Sequence, residues 1–145
     1  MKEYLNEGVN VVSYYKDNIS YGMSCAWAMH CDYTQLLMLI GAQSDTGNNL
    51  KINDIVGVSV LAKGQEKIAL HFGNNHSEEI NKFLNFSCYN DGSALLIPGA
   101  KVHLVCKVIN LSHVKGNDAD HLVQLQILKT NVDEKKDFLN RYDVI

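Results

Sequence analysis

Apolar and polar residues alternate along most of this chain with a period of two, the spacing of a half-buried β-strand. Residues 8–15 (GVNVVSYY) are rich in β-branched and aromatic side chains and stop at Lys16-Asp17-Asn18, a turn-forming triplet. The pattern resumes over residues 19–29, so the two segments are predicted to pair as a hairpin. Residues 36–40 form an unbroken apolar run, predicted as a strand buried on both faces. Residues 56–61 (VGVSVL) alternate with small side chains. Over residues 101–110, Val102, Leu104, Cys106 and Val108 share one face, and His103, Val105, Lys107 and Ile109 take the other. Over residues 121–129, Leu122, Gln124 and Gln126 lie opposite Val123, Leu125 and Ile127.

Helical spacing is confined to short pieces. Residues 65–72 put Ile68, Ala69 and Phe72 on one side, and Gly73 suits the position just past the helix end. Ser77 before Glu78 and Glu79 reads as the N-cap of a second helix carrying Ile80, Phe83 and Leu84. Residues 50–52 are expected to begin a third, with Thr46 or Asn48 as its cap. Six strands with two or three short helices, and no strand–helix alternation, predict a mainly β protein. The expected architecture is a closed antiparallel barrel rather than a parallel sheet.

Composition narrows the function. The 145 residues are 46% apolar and 20% charged, and one proline and no linker-like tract interrupt them, so a single domain over residues 1–145 is expected. The net charge of −3 gives no basic field for a phosphate backbone, so nucleic acid is not an expected partner. The longest apolar stretch, residues 36–42, is far short of a membrane span, and no membrane association is expected. The opening residues MKEYLNEG carry two glutamates and no apolar core, so no secretory signal is expected. Cys25, Cys31, Cys88 and Cys106 contain no CxxC pair, and the expected state is reduced thiols in the cytoplasm.

Several chemistries lack their motifs. The ten glycines form neither GxGxxG nor GxxxxGK[ST], GxSxG is absent, and so is HExxH. The six histidines are scattered, and no metal site is expected. Residues 22–27 (GMSCAW) set small side chains beside a large aromatic, which lets a flat ligand approach the backbone or simply fits a crowded barrel interior. Ser44-Asp45-Thr46 follows the apolar run and suits either phosphate binding or a capped polar turn. His71 near a helix end and His121 at a strand start are candidates for a charged or titrating contact, or plain surface histidines.

Taken in order, GMSCAW, LLMLIGAQSDT, VSVLAKGQEKIALHFGNN and EEINKF resemble the flavin-reductase-like family of FMN-binding split barrels. That family has a G-M-[ST]-x-[SA]-W strand, an apolar strand ending in S-x-T, an F-x-V-x-x-L…Q…F-[GA] stretch and a later K-F. Here these are Gly22 to Trp27, Ser44 with Thr46, Val58 to Leu61, Gln65, Phe72-Gly73 and Lys82-Phe83. HLVCKV (residues 103–108) and Asp120-His121 match two further features. The pattern departs at Thr34-Gln35, where the family has prolines, and at Gln126, where it has glycine. The loop Gly47-Asn48-Asn49 also lacks the family's usual helix-forming residues.

The resemblance implies a six-stranded antiparallel split barrel forming a homodimer with FMN at the subunit interface. It implies an oxidoreductase that passes a hydride from NADH or NADPH to FMN, and electrons onward to free flavin, an acceptor protein or ferric complexes. A non-catalytic flavin carrier or sensor of the same fold is the alternative. Carried over by position, Met23, Ser24, Cys25 and Ala26 should line the isoalloxazine, and Ser44, Asp45 and Thr46 should hold the phosphate or ribityl chain. His71, Phe72 and Gly73 should close over the cofactor, and His121 should face the nicotinamide or acceptor. Such a design needs no acid–base dyad, because the cofactor supplies the redox chemistry.

Overall fold

The computed structural model describes residues 4–41, 44–74, 83 and 88–144. Its strands are β1 (Asn10–Lys16), β2 (Ile19–Cys25), β3 (Ala28–Asp32), β4 (Gln35–Gly41), β5 (Ile55–Val60), β6 (Tyr89–Asp91), β7 (Ala94–Leu96), β8 (Val102–Val114) and β9 (Asn117–Val132). Helix α1 (Asp45–Asn48) follows β4, and α2 (Glu66–Asn74) follows β5. Every pairing is antiparallel, in the order β3-β4-β9-β8-β5-β1, with β2 and the β7–β6 hairpin both joined to β1.

The β1–β2 hairpin forms where the turn triplet predicts it. Asp17 and Asn18 have φ of 50° and 67°, the left-handed pair that matches the twist of a tight hairpin. The strand predicted over residues 19–29 breaks at Ala26-Trp27. Up to Cys25 it pairs with β1, and from Ala28 it pairs with β4. Counted as one bent strand, β2–β3 completes six strands around a barrel. Between β2 and β4 there is no ladder, so the barrel is split along that seam rather than closed as alternation alone suggested.

Alternation places the core. Val12 and Tyr14 of β1, Met38 and Ile40 of β4, Val58 of β5, Cys106 of β8 and Leu125 of β9 fill the barrel. A second cluster lies outside it, where Ala69, Phe72, Phe83, Leu95 and Leu139 cover Val9 and Val11. Strand β4 is not buried on both faces. Leu36, Met38 and Ile40 are buried, whereas Leu37 and Leu39 are half-buried, because α2 covers β1 and β2 instead.

Helix α2 runs where its spacing predicts, but it continues through Gly73 to Asn74, and Gly73 has no positive φ. Gly73 is therefore a helical residue and not a left-handed cap. The short helix after β4 starts earlier than residue 50, and Ser44, not Thr46 or Asn48, caps it. The helix expected after Ser77, and Lys82 of the family pattern, fall outside the described residues. The β6–β7 hairpin was not anticipated, although Asp91-Gly92 marks it, with Gly92 at φ 60°.

Candidate functional site

The end of β2 is the meeting point of the predicted residues. A Cβ on Gly22 would come within 3.0 Å of the Phe72 and Phe83 rings, so glycine there lets α2 lie flat on the strand. Ser24 Oγ donates to Ala69 O of α2 at 2.6 Å, fixing the helix in that position. Successive side chains of a strand point to opposite faces. Ser24 therefore faces α2, while Met23 and Cys25 pack with the barrel core. A flat ligand cannot touch all of these side chains at once. What Met23, Ser24, Cys25 and Ala26 offer jointly is a backbone edge along the seam, where no strand pairs with β2 among the described residues.

Cys25 is not a reactive thiol. Its Sγ donates to Leu39 O at 3.2 Å, and burial pushes its pKa up to about 12, which the hydrogen bond to Trp27 O only partly offsets. Such a thiol stays protonated and acts as core.

The corner between β4 and α1 abuts the same strand. Ser44 Oγ donates to Gly41 O at 2.6 Å, accepts from the Gly47 N–H at 2.9 Å and lies 3.2 Å from Met23 Sδ. A Cβ on Gly47 would overlap Gly41 O, so glycine is needed for this close approach. Thr46 is 1% exposed, and its carbonyl accepts from Tyr14 Oη at 2.6 Å. Asp45 carries a backbone carbonyl that accepts from Asn49 Nδ2 at 2.7 Å. The corner is thus rigidly held, with Ser44 on its accessible side.

On α2, Phe72 is 1% exposed and anchors the helix, its ring 5.1 Å from Phe83. His71 is half-buried and sets its ring edge-on to Phe72 at 5.3 Å. Gly73 is exposed beside Ser24. His71, Phe72, Gly73, Met23 and Ser24 therefore occupy one neighbourhood, with Ser44 at its margin.

His121 reaches this corner from the far side of β4. It pairs with Ile40, and Asp120 pairs with Gly41. The His121 ring lies 5.2 Å from that of His113, whose Nδ1 is 3.0 Å from Asp120 O. His121 Nδ1 is buried with no hydrogen-bond partner among the described residues. Burial, then the charges of His113 and Lys51, push its pKa below the usual histidine value, outweighing Asp120. The ring is neutral at pH 7 and offers hydrogen bonds rather than charge.

The departures from the family pattern meet in space. Gln35 Nε2 donates to Gln126 Oε1 at 3.2 Å, Gln126 Nε2 donates to Thr34 O at 3.0 Å, and Gln124 Nε2 donates to Gln35 Oε1 at 2.7 Å. They form a polar ladder on the outer face of β4 and β9, away from His121. Sequence reading gave no role to Gln124, and only the register Leu37↔Gln124 reveals it. Among the described residues, no three His, Cys, Asp or Glu side chains could hold a metal ion together. No described helix is long and apolar enough to cross a membrane.

Solved structures share this fold. An NADH:FAD oxidoreductase of Streptomyces globisporus, SgcE6, superposes with a TM-score of 0.85 at 22% identity, over 94% of this chain and 81% of that one. BorF, the flavin reductase component of a bacterial two-component tryptophan halogenase, gives 0.82 at 19% identity, over 97% and 89%. A flavoredoxin from Methanosarcina acetivorans gives 0.78 at 14%, over 92% and 76%. No curated protein sequence matches the chain. The family model for the flavin reductase like domain matches residues 1–143, nearly the whole chain, and with the split barrel it shows that the protein belongs to the flavin reductase like family.

Proposed function

We propose that this chain binds FMN along the seam edge of β2 and passes electrons from NADH or NADPH through it to free flavin or another acceptor. The observation that carries this reading is the convergence of α2 and the α1 corner on Met23 and Ser24 beside an edge that no described strand covers. The residues fit a flavin. Backbone groups of residues 23–26 suit the polar rim of a flat ring, and the neutral His121, with its unpartnered Nδ1, suits a hydrogen bond. When bound, the flavin accepts a hydride and releases electrons singly or in pairs.

The protein's own part is positional. The β2 edge orients the ring, and the Ser44-Asp45-Thr46 corner holds the phosphate or ribityl chain. His71, Phe72 and Gly73 exclude water from one side. His121 faces the nicotinamide or acceptor, positioning it without taking a proton. The other ring face must stay open, since hydride transfer needs approach to about 3–3.5 Å. A homodimer supplies the remaining wall. All five β3 residues are exposed, and Trp27, Met29 and Tyr33 are 48%, 63% and 100% exposed, an apolar margin suited to a second copy. Four free cysteines and no described membrane-crossing helix favour a reducing compartment, the cytoplasm.

The phosphate assignment is tested by comparing FMN with riboflavin, which lacks the phosphate. Charge-assisted hydrogen bonds of about 1.5–3 kcal/mol should make FMN bind at least about tenfold tighter. In a Ser44→Ala/Thr46→Ala double variant that ratio should fall towards unity. An unchanged ratio removes the corner from phosphate binding.

A further inference from the structure

The barrel has one filled end and one hollow end. At the His121 end, Leu50, 3% exposed, follows α1 into the core. At the other end, inner-face side chains of several strands line a cavity of about 760 Å³, among them Leu36, Met38, Val58, Leu104 and Ile127. Of the residues assigned to the flavin, this cavity takes in only Ala26.

Its chemistry is one-sided. Leu36, Met38, Val58 and Leu104 are between 1% and 7% exposed, so the wall is barrel core rather than surface. Apart from the His30 ring and the Tyr33 and Thr130 hydroxyls, the polar groups at the rim are engaged elsewhere. Glu7 pairs with Arg141 at 3.0 Å, Asn10 Nδ2 donates to Cys25 O at 3.1 Å, and Asn140 bonds Asn6 and the Tyr142 N–H. A ligand charge carried past the rim would find no counter-charge on the inner walls formed by Leu36, Met38, Val58 and Leu104, at a cost of several kcal/mol. An apolar ligand would instead replace water that makes few hydrogen bonds with the wall. The volume falls within the range of about 300–1,000 Å³ typical of small-molecule sites, and barrel mouths are among their usual places.

We propose that the open mouth of this barrel binds an uncharged, apolar small molecule, at a site separate from the flavin edge of β2. The size and the engaged rim set the class of occupant. The site is distinct from the flavin edge, although Met29 and Tyr33 at its rim belong to the margin assigned above to a second copy, which must leave the mouth open.

The test is a fluorescence titration of the full chain with N-phenyl-1-naphthylamine, an uncharged dye that brightens in apolar surroundings, run without and with saturating FMN. Saturable binding of the same affinity in both is expected. Thr130 lines the mouth from an exposed position opposite Leu104, so Thr130→Trp should block it without disturbing the core. That variant should weaken dye binding at least about tenfold and leave FMN affinity unchanged. Val132→Trp, at another exposed lining position, provides the same block should Thr130→Trp fold poorly. No saturable binding, displacement of the dye by FMN, or unaltered binding in the blocked variants overturns the proposal. Dye binding that appears only on dilution does so too, because a second copy then fills the mouth. Failure of FMN to bind at all would count against the flavin reading and leave the dye result standing.

Discussion

Gly57→Ala is expected to destabilise the fold by about 3 kcal/mol, a large effect for one methyl group. A Cβ at position 57 would overlap the carbonyl oxygen of Leu95, so backbone rather than a flexible side chain must move. That carbonyl is also engaged. Ser13 Oγ donates to it at 2.7 Å, and Ser13 is fully buried. One strand turn away, the Ile97 N–H donates to Ser59 Oγ at 2.9 Å, and Ser93 Oγ donates to Ile55 O at 2.7 Å. Buried Ser13 and Ser59 and half-buried Ser93 thus hold the β6–β7 hairpin against β1 and β5, and displacing Leu95 leaves at least one polar group unpaired. Overpacking of about 1–3 kcal/mol adds to about 1–3 kcal/mol for the orphaned group. Urea unfolding should show a markedly lower midpoint with an unchanged slope. The control is Gly92→Ala, at φ 60° with no atom within 4 Å, which should cost only about 1 kcal/mol. Equal losses at the two sites would contradict the packing account.

Phe72→Ala should cost about 3–5 kcal/mol, the range for a buried aromatic. The ring is 1% exposed, lies against Phe83 and seats α2 on Gly22. Its loss leaves the Ser24–Ala69 hydrogen bond as the main described tie between helix and strand at this point. The effect should therefore reach the flavin. Measured at a temperature where the variant is still folded, FMN affinity should drop by at least about tenfold, and Phe72→Leu, which refills most of the space, should recover most of it. Wild-type FMN affinity in folded Phe72→Ala would mean that α2 does not shape the site.

How far the sequence carries depends on the range of the interaction. Alternation identifies the barrel strands because each buries one face, as with Val102, Leu104, Cys106 and Val108, of which three lie within the buried core and Val102 is partly buried. Asp17-Asn18 is legible because the turn is decided by its own backbone. The break at Ala26-Trp27 is not, since it depends on Leu39 donating to Trp27 O from another strand. Nor is the role of Ser44. The sequence places a hydroxyl at a strand-to-helix junction, but its hold on Gly41 and Met23 follows from tertiary packing. The pairing of His121 with Ile40 rests on register, which a single sequence leaves open. The glycines at 22, 47 and 57 differ in motif context but share one cause, a neighbour too close for a Cβ.

Electron flow through a flavin held at the β2 edge is the central step of the proposed function. The direct measurement is the visible absorption spectrum of the FMN-loaded protein during anaerobic addition of NADH, repeated with NADPH. The expected result is a bound-flavin spectrum that bleaches with at least one nicotinamide and returns when an electron acceptor is admitted. A bound flavin that neither nicotinamide bleaches would contradict the reductase reading and leave a flavin-binding module of the same fold.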